Sequence, residues 1–294
     1  MGAVYEAVGP AGPLAVKVVL EAHRRELVLR FVREARLTTA IEHPNVVRVL
    51  EVDDDPALGV PFIVMELLSG TDLDRHLRVV GPLEPRAAAR LFVDACRGLA
   101  AAHELGIVHR DIKPENIFVT EQDGERLVKV LDFGIAKSSQ ESNLSMTSTG
   151  VALGSPYYMS PEQVISAKNA DPRSDLWSVG VVAYQAMTGR LPFNGETVGA
   201  LAIAINDGHY PRPSQVRPGI PAAMDAWLAQ VLVRDPEDRY ANAREMAQAL
   251  ARAASLGKKD DFTEAQTDVA TTAQAVDPAL AARLSLPDAG DVPD

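Results

Sequence analysis

Cysteine is nearly absent: Cys96 is the single one among 294 residues. One thiol closes no internal disulfide and builds no Cys-rich metal site, so a reducing, cytoplasmic setting is the simpler expectation. Cys96 lies inside an apolar helical run and reads as a small core residue. Long apolar runs are missing as well. No stretch approaches the roughly 20 residues that span a bilayer, and no basic-then-apolar signal opens the chain, so a soluble protein is expected. Basic charge is scarce, with 29 Lys and Arg against 40 Asp and Glu and a net charge of −11. That excludes a nucleic-acid partner held through a general basic surface, yet leaves room for a local cationic pocket around one nucleotide.

What is present is ordinary globular material: 47% hydrophobic and 23% charged residues, enough to bury a core, over a length that allows two lobes and a tail. The chain opens on a hairpin, Met1 to Val8 and Leu14 to Leu20, around the turn Gly9 to Pro13. Glu21 to Ala40 has helical spacing and stops before the turn residues His43-Pro44-Asn45. Val46 to Val52 and Pro61 to Leu67 read as two more strands, separated by an acidic turn at Asp53-Asp54-Asp55-Pro56. The character then changes near residues 69 to 71. Helices are expected at Leu73 to Val79 and Glu84 to Leu105, then a hairpin of Ile117 to Thr120 and Leu127 to Leu131 around Asp123-Gly124. A very apolar helix opening at Asp175 and ending at Gly189 belongs at a domain centre. Helical runs at Thr197 to Asn206, Pro221 to Val233 and Asn242 to Ala254 complete an α-rich body. The expectation is an α+β fold with a small lobe over 1–70, a larger lobe over 71–255, and a disordered tail over 256–294, whose Asp, Ala, Thr and Pro lack an apolar period.

The chemistry gathers at His109 to Asn116, His-Arg-Asp-Ile-Lys-Pro-Glu-Asn, placed between a helical run and a β-run. Asp111 is a candidate base, Lys113 a charge clamp, and Asn116 an oxygen donor suited to a hard metal. Together they suit transfer of a highly charged group. This stretch resembles the catalytic loop of protein kinases. Other residues follow in that family's order: Lys17 in Leu-Ala-Val-Lys, Glu34 in the next helix, Asp132-Phe133-Gly134, Ser160-Pro161-Glu162, Asp175, and Arg239. Alone, each has a plainer reading: a snorkelling strand lysine, a solvated helix charge, a helix N-cap at Asp175, a turn arginine at Arg239. The segment around Tyr157 and Tyr158 is similar to that of eukaryotic-like bacterial Ser/Thr kinases, and Lys113 favours Ser/Thr over Tyr chemistry.

The resemblance implies transfer of the γ-phosphoryl of ATP to Ser or Thr hydroxyls of protein substrates. It gives Asp111 the acceptor proton, has Lys113 steady the transferred group, and assigns Mg²⁺ to Asn116 and Asp132. Lys17, fixed by Glu34 with Glu26 as a weaker rival, would orient the nucleotide. Val4, Ala15 and Phe118 would sandwich adenine, Met65 would be the gatekeeper, and backbone groups near Glu66 and Leu68 would meet the base. Glu162 and Arg239 would pair, and Asp175 would accept hydrogen bonds from the catalytic loop. Arg110 implies control by phosphorylation of the activation segment, with Thr147 and Thr149 as autophosphorylation sites and a homodimer as the means of trans-reaction.

The resemblance begins inside the kinase phosphate loop, whose last Gly and Val are matched by Gly2 and Val4. The first strand and the first two glycines of that pattern have no counterpart. Two explanations stand, a true start upstream of Met1 or a shortened protein with weak catalysis. The rival from another class is a pseudokinase that scaffolds partners.

Overall fold

A computed structural model of the chain describes residues 2–10, 12–19, 32, 35–55, 60–122, 125–133 and 156–256. Strands β1 (Gly2–Gly9) and β2 (Gly12–Val19) form the opening hairpin, with Val4 opposite Lys17. Strands β3 (Val49–Asp55) and β4 (Val60–Glu66) complete an antiparallel sheet in the order β1-β2-β4-β3. Alternation sends Ala15, Val52 and Ile63 inward. Val32 and Ala35, beside a helical turn over 35–38, pack on Val52 and Ile63 as a small separate core.

Both ends of the third strand differ from the sequence expectation. The third strand begins at Val49 because Val46 and Val47 are engaged elsewhere: Val46 bridges Val130 in parallel, and the Val47 N–H donates to Val130 O at 3.0 Å. Asp53 to Asp55 are strand residues paired with Phe62, Pro61 and Val60, and so are no turn. β3 is an edge, where charged side chains are tolerated and discourage pairing with another chain. Arg36 fixes that edge by donating to Val52 O and Asp53 Oδ1.

The remaining described elements enclose the larger core. Strand β5 (Gly70–Asp72) pairs with β6 (Ile117–Gln122), which pairs with β7 (Glu125–Val130). Gly70 has a φ of 145°, and a Cβ there would lie 2.2 Å from Val119 O, so only glycine fits. Helix α1 (Leu73–Val80) is capped by the Asp72 side chain, and α2 (Pro85–Glu104) carries proline in its first turn. Helix α3 (Pro161–Ile165) opens with a Ser160–Gln163 capping box.

Helix α4 (Pro172–Thr188) is buried along nearly its whole length and ends at Gly189 in the left-handed conformation. Its N-cap is Asp171, whose carboxylate accepts from the Arg173 and Ser174 N–H groups. The N-cap reading of Asp175 is therefore corrected: that residue sits inside the first turns, and its side chain is free for other partners. Helices α5 (Val198–Asp207), α6 (Pro213–Val216), α7 (Ala222–Val231) and α8 (Ala243–Ala253) surround α4 and α2. Proline punctuation hid the short α6 from the sequence reading. No described helix is long and apolar enough to cross a membrane.

Candidate active site

Asp175 organises the site from below. Its Oδ2 accepts from the His109 N–H at 2.8 Å and its Oδ1 from the Arg110 N–H at 2.8 Å, while His103 Nε2 lies 2.8 Å from Oδ2. A carboxylate 1% exposed thus satisfies two successive backbone amides of the loop. Those amides are held in an unusual turn, for Arg110 has a φ of 65°, a conformation that costs a non-glycine residue energy. Gln163 secures the same turn from above, donating from Nε2 to Arg110 O at 3.1 Å.

His109 joins this loop to the residue just past β7. Its Nε2 lies 2.7 Å from Leu131 O, and its Nδ1 accepts from the Asp111 N–H at 3.2 Å. One nitrogen donates and the other accepts, which is the neutral imidazole. Burial pushes the His109 pKa below its ordinary value, outweighing the opposing influence of Asp175, the Leu131 hydrogen bond, Asp111 and Asp132. The ring also packs on Phe133 with centroids 4.8 Å apart.

The loop side chains converge. Lys113 Nζ lies 3.1 Å from Asp111 Oδ2, and Asn116 Nδ2 donates to Asp111 O at 2.8 Å and towards Asp111 Oδ2 at 3.4 Å. With the Asn116 amide nitrogen so committed, its Oδ1 is the atom that could ligate a cation. Leu131 N–H donates to Asn116 O at 2.9 Å, which carries the chain to Asp132. Asp132 has a φ of 50°, and its Oδ2 lies 2.6 Å from Lys17 Nζ. That contact crosses from β2 to the end of β7 and was absent from the sequence reading, which gave Lys17 a glutamate partner. Asp132 and Phe133, with Met65, Ile63, Val46, Val47, Val49 and Thr38, line a cavity of about 20 Å³.

The other expected positions fall around this centre. Ala15 is buried opposite Met65 in the β2–β4 register, Val4 is 61% exposed, and Gly2 begins β1. Phe118 is half-buried on β6 opposite Lys129. Leu68 follows the end of β4, and the Glu66 N–H is already bonded to Arg48 O. Glu162 and Arg239 meet in a two-pronged pair at 2.8 and 2.9 Å. Glu34 and its rival Glu26, along with Thr147 and Thr149, lie outside the described residues.

Sequence reasoning missed His103, Gln163 and Lys129. Of these only Lys129 left a signal, a charged residue inside the apolar run Leu127 to Leu131.

The donor set suits a hard dication. Asp132 and Asn116 could supply two oxygen ligands, and among the described residues no cluster of three or more His, Cys, Asp or Glu could hold a metal alone. Mg²⁺ commonly takes one or two protein oxygens and completes its shell with water and phosphate, so two ligands fit it.

A small antiparallel sheet beside a helical body, with a loop at their junction presenting carboxylate, ammonium and amide together, is the bilobal architecture of phosphoryl-transfer proteins of the kinase type. The chain belongs to the protein kinase domain family, whose model matches residues 1–251. It is 42% identical over 256 residues to the Ser/Thr-protein kinase Pkn1 of Myxococcus xanthus, covering 85% of this chain and 36% of that protein. It is 41% identical over 236 residues to the Ser/Thr-protein kinase PknL of Mycobacterium tuberculosis, covering 80% of this chain and 57% of the relative. Among solved structures, the PknI kinase domain of M. tuberculosis superposes with a TM-score of 0.67 at 26% identity, covering 86% of this chain and 91% of that one. Rad53 1-466 in complex with AMP-PNP superposes with a TM-score of 0.68 at 27% identity, covering 84% and 61%. The chain therefore spans only part of the length of the curated relatives it matches.

Proposed function

We propose that this domain transfers the γ-phosphoryl group of ATP to Ser or Thr hydroxyls of proteins. The observation that carries the reading is the convergence of Asp111, Lys113 and Asn116 on one loop whose backbone is pinned by the buried Asp175. Positioning and charge neutralisation supply most of the rate in this chemistry, and a loop held at both ends supplies both.

In this reading Asp111 accepts a hydrogen bond from the substrate hydroxyl, orients its oxygen for attack, and takes its proton. Lys113 stands beside Asp111 and neutralises charge on the transferred group. Asn116 through Oδ1 and Asp132 through its carboxylate would hold Mg²⁺. A metal held there would supply positive charge that offsets the charge repelling the nucleophile. Lys17 exchanges Asp132 for the α- and β-phosphates, with Glu34 as its anchor on the helix side. Val4, Ala15 and Phe118 enclose adenine, Met65 gates the space behind it, Glu66 and Leu68 meet its edge through backbone groups, and Gly2 lies next to the phosphates. The lobes divide at about residue 70 in this reading: the small core of Val32, Ala35, Val52 and Ile63 lies before that point, and the larger core lies after it apart from Ile41 and Val46.

Regulation follows from Arg110. Its Nε is buried and has no partner among the described residues, which is costly for a cation and favours an incoming anion. A phosphate on Thr147 or Thr149, placed by trans-autophosphorylation between two copies, supplies that anion. The setting in this reading is the cytoplasm.

The test is transfer of labelled phosphate from Mg²⁺-ATP to a generic basic protein. The wild-type chain is expected to yield phosphoserine and phosphothreonine, and Asp111→Asn to fall to background. Nucleotide binding without transfer by the wild type assigns the chain to the scaffold class instead.

A further inference from the structure

Lys129 has no part in the chemistry above, yet it is only 8% exposed and is charged. Its Nζ lies 2.7 Å from Glu66 Oε1, and the same oxygen accepts from the Arg48 N–H at 2.8 Å. Glu66 is also held through its backbone, since its N–H donates to Arg48 O at 3.0 Å. The residue that ends β4 is thus fixed at main chain and side chain, and its principal counter-charge comes from β7.

β7 is itself anchored to the small-sheet side. Val130 N–H donates to Asn45 O at 2.9 Å, Val47 N–H to Val130 O at 3.0 Å, and Asn45 Nδ2 to Val128 O at 2.8 Å. Helix α2 presses on this loop so closely that a Cβ at Gly98 would lie 2.4 Å from Asn45 O. Two residues beyond Val130 the strand delivers Asp132. Directly across β6–β7, Lys129 is in register with Phe118, so the two side chains share one face of the hairpin. One lysine therefore stands beside the proposed floor of the base site, ties the residue at its edge, and lies on the strand leading to the proposed metal ligand.

We propose that Lys129, through the Glu66 carboxylate, is a positioning residue for the nucleotide: it sets the edge of the base site at a fixed distance from its floor and from Asp132. The inference rests on the nucleotide reading given above. An ion pair largely removed from water keeps two chain segments in register, and removing one partner lets the freed segment find other positions. Base contacts are made equally before and during transfer, so their loss weakens binding and leaves the saturated rate nearly untouched.

The experiment measures ADP affinity in the presence of Mg²⁺ by calorimetry, and the saturated rate of transfer to the basic protein, on the full chain. Lys129→Met is expected to weaken ADP binding about tenfold while kcat stays within about threefold. Lys129→Arg, which keeps the charge, is expected to return affinity to within about twofold of wild type. Glu66→Gln is expected to lose ADP affinity to the same extent as Lys129→Met, and the double variant to lose no more than either single one, because the two act as a unit. Unchanged or tighter ADP binding by Lys129→Met overturns the proposal, as does a loss confined to kcat or losses that multiply in the double variant. Should Lys129→Met melt far below wild type, the Arg and Gln variants decide by the same criteria. A wild-type chain that binds no ADP overturns the nucleotide reading and this inference with it; a wild-type chain that binds and transfers beside an unaffected Lys129→Met overturns the inference alone.

Discussion

Arg239 and Lys17 each hold a carboxylate, but their surroundings follow opposite plans. Arg239 spends all five of its N–H groups: Nε on Val233 O, Nη1 on Glu162 Oε1 and Arg173 O, Nη2 on Glu162 Oε2 and Arg234 O. The face of Trp177 covers its guanidinium at 4.9 Å, and Ser174 Oγ donates to Glu162 as well. Lys17 reaches Asp132 by one contact of 2.6 Å, with side chains 24% and 39% exposed. Burying an ion pair is tolerable when every lone pair and proton is matched, and such a pair cannot trade partners. A half-exposed pair whose ammonium has, among the described residues, this single carboxylate partner contributes little to stability and is replaced readily by a ligand's phosphate and metal. The first pattern belongs to a part that holds shape, the second to a part that works.

Breaking the saturated pair is expected to have the largest effect. Glu162→Ala leaves a buried guanidinium without its carboxylate and should lower unfolding free energy by about 3–5 kcal/mol, read by urea denaturation. Asp132→Asn, in the cleft, should instead cost at least about a hundredfold in phosphoryl transfer, with a melting temperature near that of wild type. If the two variants exchange these phenotypes, the contrast between the pairs is wrong.

Acid provides a gentler way to separate the regions. His109 has its folded pKa lowered by burial, so between that value and the ordinary 6.5 the unfolded chain binds the proton and the folded one does not. Stability therefore rises with pH through this window, and is lost as pH falls below the ordinary histidine value. Burial raises the Glu162 pKa, but the Arg239 and Ser174 hydrogen bonds and the Arg239 charge outweigh it and hold it below the ordinary 4.5. Its contribution is present above that value and disappears as pH falls through the lowered one. Thermal melts from neutral to acid pH should fall in that order, and His109→Asn should flatten the first part. The smallest effect concerns Cys96, whose thiol burial pushes up to about 12. It should resist thiol reagents in the folded protein and react fully after denaturation.

The contrast also explains how much was legible in the sequence. Candidate residues at fixed spacing on one loop, Asp111, Lys113 and Asn116, could be read directly, and the resemblance implied the Glu162–Arg239 pair and the Asp175 hydrogen bonds, contacts that the structure contains. The strands other than β5, and the long helices among the described residues, followed from period and punctuation. The misplaced start of the third strand has a tertiary cause, since Val46 and Val47 are claimed by β7. The acidic run Asp53 to Asp55 looks like a turn by composition and is strand because an edge position tolerates it. Lys17–Asp132 and Lys129–Glu66 join residues more than sixty positions apart, and no local pattern encodes either.

The most direct test of the central claim is Lys17→Met measured twice, by unfolding free energy and by the rise in melting temperature on adding Mg²⁺-ATP. The account predicts a stability within about 1 kcal/mol of wild type, because a half-exposed pair is worth no more. It also predicts loss of most of the nucleotide-induced rise that the wild type displays. A variant that is several kcal/mol less stable, or one that keeps the full rise with Mg²⁺-ATP, contradicts the claim that this pair is held in reserve for the nucleotide.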